Sequence, residues 1–209
     1  MLDTVEGGAG AHSGSVEIGG QLGTFTATGL TRAGIRVAHN IGLLRISGDV
    51  SDSTITARGT VVPGVTDVAI GAVQVIGNVS NTSIRAGYDI LDAPVNAHAQ
   101  IGAVGVTGNW TASVLAAGVV PGPDGLFGNA DDRLVDGAGT GHIISKIARV
   151  LIRGIVEGTP GAGDHFGFVA QQIGSFSSNG ALPRAAVGGQ SFELGTNSDT
   201  TVRAVPLVF

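Results

Sequence analysis

The chain contains no cysteine, which excludes disulfide bonds and every metal site that needs a thiolate ligand. The absence is compatible with the cytosol and with bacterial surface proteins that use no disulfides, so it leaves the compartment open. The histidines are scattered and include no close pair of the kind that binds zinc, at His12, His39, His98, His142 and His165. The sequence therefore predicts no transition-metal site.

Positive charge is also scarce. Lys146 is the single lysine beside ten arginines, and the net charge is -5. Proteins that bind nucleic acid carry a basic stripe or patch, and this chain has none. The sequence therefore predicts no nucleic-acid partner.

Long apolar runs are missing as well. No stretch reaches the length of a membrane-spanning helix, so we expect no membrane span. The first residues, 1–6, lack the basic start and the apolar stretch of a secretory signal. Aromatic residues make up only 4%, and Trp110 and Tyr88 are too isolated to form an aromatic platform for sugars.

Glycine, in contrast, is abundant, at 36 of 209 residues. The glycines follow no every-third pattern, which excludes collagen, and apolar residues recur between them with the period of a strand, which argues against disorder. The length suits one domain or one elongated unit. We interpret the glycines as turn residues between short strands.

One phrase occurs twice, at residues 70–78 (IGAVQVIGN) and 101–109 (IGAVGVTGN). The template apolar, small, any, apolar, any, apolar, any, Gly finds four more copies, which begin at Leu22, Ile41, Ile147 and Ile173. Apolar residues at every second position are the period of a strand with one buried face. Each copy therefore predicts a short β-strand.

The starts of these copies are separated by irregular distances of 19, 29, 31, 46 and 26 residues. Stacked strands must keep their register, whereas loops lengthen at small entropic cost, so constant strands with variable loops are typical of a β-solenoid. A second strand follows each copy, and a third short strand is expected to lead into the next one, at 67–69, 97–100, 142–145 and 168–171. Stacking would also place Asp49, Asn78 and Asn109 above one another as a side-chain ladder.

The predicted fold is therefore all-β, a right-handed parallel β-helix with about six irregular coils of two to three short strands. The handedness follows from the general rule for parallel crossover connections. We divide the chain into a lead-in or N-terminal cap at 1–20, coils at 21–180 with an inserted acidic loop at 119–141, and a C-terminal coil or cap at 181–209.

The repeated phrase, together with residues 123–128 (PDGLFG) and 163–168 (GDHFGF), resembles the β-strand-repeat regions of large bacterial surface or secreted proteins, such as adhesins and autotransporter passengers. The resemblance covers about residues 20–180 and rests on the general repeat pattern more than on a diagnostic motif. It implies a right-handed parallel β-helix that serves as a stalk, an adhesive surface or a passenger domain. It also implies an extracellular or cell-surface location.

The inserted loop resembles the short calcium loops of bacterial extracellular proteins. Calcium binds about six to eight hard oxygen ligands, and the loop offers four candidate ligands, Asp124, Asn129, Asp131 and Asp132. The spacing departs from an EF-hand, since Asp124 is followed by Gly125 and Leu126 and no glutamate closes the loop. The alternative is an ordinary solvated loop, and the sequence leaves both open.

Other acids lie in loops that a solenoid would stack along one edge, namely Asp67, Asp89, Asp92 and Asp164, with His165 beside the last. If they converge, they would bind a cation or raise one another's pKa values, which is how a general acid and base pair arises. The alternative is that these charged residues lie in loops simply because loops are exposed to solvent.

The leading functional interpretation is a non-enzymatic structural or adhesive module, with cell-surface polysaccharide as a candidate partner and calcium ordering the inserted loop. One alternative is a carbohydrate-active β-helix enzyme, a polysaccharide lyase or hydrolase, with Asp124, Asp131, Asp132 and Asp164 as candidate acids and Arg133 as their basic partner. Another alternative is a filament subunit that self-associates end to end.

Overall fold

The computed structural model of the chain describes residues 2–6, 12–60, 62, 65–138, 143–161, 163–179, 184–195 and 199–207. In this part the protein is all-β and contains no helix, so no described segment is long and apolar enough to cross a membrane as a helix. The strands are β1 (Leu2–Glu6), β2 (His12–Ile18), β3 (Leu22–Ala27), β4 (Leu30–Val37), β5 (Ile41–Ile46), β6 (Val50–Ser51), β7 (Thr54–Ala57), β8 (Asp67–Val75), β9 (Val79–Ser80), β10 (Ser83–Ala86), β11 (Ala99–Val106), β12 (Trp110–Thr111), β13 (Val114–Ala117), β14 (Val119–Val120), β15 (Arg133–Leu134), β16 (Lys146–Ile152), β17 (Val156–Glu157), β18 (Phe166–Ala170), β19 (Gln172–Ser178), β20 (Arg184–Val187), β21 (Ser191–Leu194) and β22 (Thr200–Ala204).

The six template copies all lie in one sheet, whose strand order is β1-β3-β5-β8-β11-β16-β19-β20. Every pair in it is parallel except the last, β19 with β20. The first residue of each copy pairs with the first residue of the next, in the series Leu22, Ile41, Ile70, Ile101, Ile147 and Ile173. The prediction that each copy is a strand, and that the copies stack in register, is confirmed.

The second large sheet contains the strands that follow each copy. Its order is β17-β12-β9-β6-β4-β7-β10-β13-β18-β22-β21, with β2 also paired to β4. Within it, β7, β10, β13, β18 and β22 pair in parallel, and β21 joins β22 in the antiparallel sense. The mostly parallel arrangement therefore extends through both sheets.

The third strand of each repeat is not where the sequence analysis placed it. Residues 67–69 are the first part of the long strand β8, 99–100 are the first part of β11, and 168–170 belong to β18 in the second sheet. Residues 143–145 form no strand, and His142 lies outside the described residues. The extra short strands are β6, β9, β12 and β17, each of which pairs with a neighbour through only two residues.

One apolar core fills the space between the two sheets, because alternate residues of the strands in both sheets point into it. Its largest buried side chains include Trp110 and Phe168, whose ring centroids lie 5.0 Å apart. Phe176 stacks edge-on to Phe168 at 4.8 Å. The aliphatic repeats thus give way to an aromatic cluster toward the C-terminal end of the stack.

A polar ladder runs along the bend that follows each template copy, as the sequence predicted. Asp49 Oδ1 accepts hydrogen bonds from the backbone N–H of Asn78 at 2.7 Å and from its side-chain amide at 3.1 Å. Asn78 Oδ1 accepts from the Asn109 N–H at 2.9 Å, and Asn109 Oδ1 from the Ile155 N–H at 3.1 Å. Each side chain therefore joins one repeat to the next.

A second ladder, which the sequence analysis did not predict, consists of buried hydroxyl groups at the next corner. Ser53 Oγ accepts from the Ala33 N–H at 3.1 Å, Thr82 Oγ1 from the Ser53 N–H at 3.4 Å, and Ser113 Oγ from the Thr82 N–H at 2.9 Å. Each hydroxyl also donates to a carbonyl oxygen two residues earlier in its own repeat. Because these groups are satisfied, they are tolerated in the interior.

Candidate functional site

The inserted loop folds onto the outside of the second sheet. Its ends pair as the antiparallel strands β14 and β15. Phe127 and Val119 from the insertion pack with Val169 and Val205 in a small apolar cluster separate from the main core. The hydroxyl of Tyr88, from the preceding repeat, donates to the Val119 carbonyl at 2.8 Å. The insertion is thus held in a defined position beside strand β22.

An open pocket of about 680 Å³ lies between the insertion and the segment that includes β22. Its polar lining comes from Asp131, Asp132, Arg133 and Asp136 of the insertion and from Arg203 of β22. Its apolar lining includes Val135 and Leu134 on one side and Val205, Pro206 and Leu207 on the other. A mixed surface of this kind offers hydrogen bonds and apolar contact to a polar ligand.

Asp132 is the acid of this pocket whose pKa is clearly shifted. Its side chain is fully buried, and its Oδ2 accepts from the Gly128 N–H at 2.9 Å and lies 3.8 Å from Arg203 Nε. Its Oδ1 is buried and has no hydrogen-bond partner among the described residues. Burial raises the pKa of Asp132 to about 7, although the Gly128 hydrogen bond and the Arg203 charge partly oppose the rise. The carboxyl therefore titrates near neutral pH.

The other three predicted calcium ligands are placed differently. Asp124 is exposed, and it accepts from the Leu126 N–H at 2.9 Å and from the side-chain amide of Asn129 at 2.5 Å. The Asp131 carboxylate lies over Gly122, where an added Cβ would sit 1.9 Å from its Cγ, so only glycine fits there. Its Oδ1 is buried without a partner among the described residues.

Of the predicted ligands, Asp124 is hydrogen-bonded to the Asn129 side chain, and Asn129 Oδ1 accepts from the Asp131 N–H at 3.3 Å. Across the described part of the chain, no group of three or more acidic, histidine or cysteine side chains is arranged to hold a metal ion. The proximity of Arg203 to Asp132 also opposes a divalent cation at that carboxylate. Calcium binding by the insertion stays a prediction.

The acids of the other loops have separate local partners. Asp67 is buried and accepts from the backbone and hydroxyl of Thr60, Asp89 accepts from two backbone N–H groups of its own turn, and Asp92 pairs with Arg85 at 2.7 Å. Asp164 accepts from the hydroxyl of Thr159. His165 lines a shallow groove with Arg85 and Phe127, apart from the pocket beside β22.

Two polar residues near these sites were missed by the sequence analysis, Arg203 and Asp199. Arg203 alternates with the buried Val202 and Ala204 in β22, and this pattern shows only that it faces outward. Its contact with Asp132 depends on how the insertion folds back, which no local pattern reveals. Asp199 directly precedes β22, within the segment 181–209 that the sequence predicts to be a C-terminal coil or cap.

No family model matches the chain, and neither the curated proteins nor the solved structures contain a match to it.

The buried carboxyl of Asp132 predicts a pH-dependent stability. Because its folded pKa is raised from 3.8 to about 7, the folded state holds a proton that the unfolded state releases, and stability falls as pH rises through this window. We expect Asp132→Asn, which removes the charge and keeps an acceptor for Gly128, to stabilise the protein at about pH 8 by up to roughly 4 kcal/mol and to have little effect below about pH 4.

Urea unfolding of both proteins across this pH range measures the difference. Asp136→Asn is the matched control, because Asp136 is exposed in the lining of the same pocket. The control should change stability by less than about 0.5 kcal/mol at every pH. An Asp132→Asn effect that is independent of pH would contradict the assignment.

Proposed function

We propose that the chain is a right-handed parallel β-solenoid that serves as a non-enzymatic structural or adhesive module of a larger bacterial surface or secreted protein. The observation that carries the proposal is the register of the repeats, in which Ile41, Ile70, Ile101 and Ile147 pair one above the other in successive parallel strands. A stack of this kind adds about 4.8 Å of length with each repeat. Length is a useful property in a spacer or display element.

Two polar ladders, one exposed and one buried, support the same proposal. The ladder of Asp49, Asn78 and Asn109 and the ladder of Ser53, Thr82 and Ser113 connect successive repeats through side-chain hydrogen bonds. Repeats that are joined by sheet hydrogen bonds, side-chain ladders and a continuous apolar core resist bending and shear. These polar groups stabilise the stack and are not gathered around a reactive centre.

Deletion of one whole repeat tests the solenoid. Removing residues 41–69 joins Asn40 to Ile70, so that β8 takes the place of β5 beside β3, and β10 takes the place of β7 beside β4. We expect the shortened protein to fold cooperatively and to lose about 5 Å of its maximum dimension in X-ray scattering. Circular dichroism during heating shows whether the transition remains cooperative.

The matched control deletes half a repeat. Removing residues 41–53 takes away β5 and β6 but leaves β7, so the first sheet loses the strand between β3 and β8 while the second sheet keeps β7 between β4 and β10, and the two sheets no longer match repeat for repeat. Although this deletion is smaller, we expect it to abolish cooperative unfolding. A protein that tolerates neither deletion, or both equally, would refute the solenoid.

The carbohydrate-active enzyme stays a prediction. The pocket beside β22 places Asp131, Asp132 and Arg133 together, which favours this alternative, but Asp124 and Asp164 do not line it. Such an enzyme would release reducing ends or unsaturated products from polysaccharides, and Asp132→Asn would remove that turnover. A structural or adhesive module produces neither, although an adhesive one retains polysaccharide on a column.

End-to-end self-association also stays a prediction. At one end of the stack the antiparallel strands β20 and β21 lie beside β19 and β22 and interrupt the parallel register. This arrangement supports a capping role for 181–209, since an antiparallel edge does not continue the repeat. The filament alternative therefore has less support at this end than the structural module.

A further inference from the structure

Two glycine-threonine turns in the chain each hold an aspartate from a later segment. In the first, the N–H of Thr60 donates to Asp67 Oδ2 at 2.9 Å, and in the second the N–H of Thr159 donates to Asp199 Oδ2, also at 2.9 Å. The preceding glycines, Gly59 and Gly158, leave room for the carboxylate, because a Cβ at either would lie within 2.2 Å of a carboxylate oxygen. The two turns therefore make the same contact.

In the first turn, both carboxylate oxygens of Asp67 accept hydrogen bonds. Besides the Thr60 N–H, Asp67 accepts from the Thr60 hydroxyl at 3.1 Å, from Asn40 Nδ2 at 3.2 Å and from Asn96 Nδ2 at 2.5 Å. Both oxygens of this buried carboxylate thus have hydrogen-bond donors. The surrounding amides stabilise its negative charge without any added ligand.

The second turn has a carboxylate where the first has amides. The Thr159 hydroxyl donates to Asp164 Oδ2. Asp199 is only 6% exposed, and its Oδ1 is buried with no hydrogen-bond partner among the described residues. Asp164 Oδ1 is likewise buried and without a partner. Among the described residues, no Lys, Arg or His nitrogen lies within 4.0 Å of either carboxylate.

The Asp199 carboxylate is buried and the Asp164 carboxylate is half-buried, and each has one buried oxygen atom without a hydrogen-bond donor, which is costly unless a positive charge compensates it. We propose that Asp164 and Asp199 bind a divalent cation that prefers oxygen ligands, of which Ca²⁺ is the representative case. The pair supplies two negative charges, and calcium completes its shell with carbonyl and water oxygens. This site is separate from the inserted loop and goes beyond the structural role proposed above.

The location indicates what the cation does. Asp199 directly precedes β22, its carbonyl accepts from the Phe166 N–H at the start of β18 at 2.8 Å, and Thr159 lies in the turn after β17. A cation shared by Asp164 and Asp199 therefore connects three segments at the C-terminal end of the stack. Its binding stabilises the native state by mass action.

Titration with Ca²⁺ alone, after treatment with a chelator, tests the site by calorimetry and by the thermal midpoint. We expect the midpoint to rise with Ca²⁺, and we expect Asp164→Asn and Asp199→Asn each to weaken binding by at least about tenfold. Asparagine at 199 keeps an acceptor for the Thr159 N–H. Circular dichroism of both variants, and the agreement of two independent substitutions, separate loss of binding from loss of folding.

The matched controls are Asp67→Asn, in the turn that needs no cation, and Asp131→Asn, in the inserted loop. Both should bind Ca²⁺ as tightly as the unmodified protein. Absence of Ca²⁺ binding, or binding that survives both Asp164→Asn and Asp199→Asn, overturns the proposal. Binding that only Asp131→Asn removes also overturns it and assigns the ion to the insertion.

Discussion

Replacing Trp110 by alanine is expected to lower the free energy of unfolding by about 3–5 kcal/mol. Trp110 is the largest side chain among those with no exposed surface, and its ring packs against Phe168. Its indole N–H donates to the Ser113 carbonyl at 3.1 Å. The substitution therefore leaves a cavity in the aromatic cluster and removes the indole hydrogen bond to the Ser113 carbonyl.

Urea unfolding followed by far-UV circular dichroism measures this loss. Thr111→Ala is the matched control, since Thr111 is the other residue of β12 and is only partly buried. The control should change stability by no more than about 1 kcal/mol. If Trp110→Ala had an effect as small as the control, the aromatic cluster would not be the stabilising core of this end of the stack.

Gly108→Ala is expected to lower the free energy of unfolding by about 2–4 kcal/mol. An added Cβ would lie 2.5 Å from both the Gly77 carbonyl oxygen and Asn78 Oδ1 of the preceding repeat. Two hydrogen bonds join the repeats there, Gly108 N–H to the Gly77 carbonyl at 2.8 Å and Asn109 N–H to Asn78 Oδ1 at 2.9 Å. Relieving the clash must lengthen both.

Gly105→Ala is the control for this substitution, because Gly105 lies in β11 with no atom within 4 Å of an added Cβ. We expect it to be neutral or to stabilise by about 0.5–1 kcal/mol, since alanine loses less backbone entropy on folding. Thermal melts of the two variants side by side measure the contrast. Equal behaviour would show that the close approach of the repeats at Gly108 is not needed.

The close approach of Gly108 also explains why the repeat could be found in the sequence. Backbone atoms of successive repeats meet at Gly48, Gly77, Gly108 and Gly154, where side chains are excluded. The apolar residues between them face one core and must alternate with outward residues. Both constraints act on residues that are close together in sequence. The repeat is therefore recognisable as a short sequence motif even though the intervening loops differ in length.

The third strand of each repeat was misplaced for a related reason. Val79–Ser80 and Trp110–Thr111 are too short to show any period, and their strand character comes only from pairing with each other across repeats. Residues 67–69 continue directly into the template copy at Ile70 as one strand. The sequence pattern did not show whether they form a separate strand or the start of that copy.

Some of the polar sites were predictable from the sequence and others were not. The ladder of Asp49, Asn78 and Asn109 was predictable, because its members occupy the same position in each repeat. The Asp132–Arg203 contact and the placement of Asp164 and Asp199 beside Thr159 were not, because they join segments that have no common pattern. Their chemistry depends on burial, which leaves carboxylate oxygens without water.

The sequence by itself therefore determined the strands that repeat, their register and the ladder along one bend. These features follow from interactions between equivalent residues of neighbouring repeats. Only the tertiary structure decided how the insertion packs beside β22 and which acids lose contact with solvent. The physical reason is that those contacts join distant, non-equivalent segments, and their energies depend on burial and charge placement that arise only when the whole chain has folded.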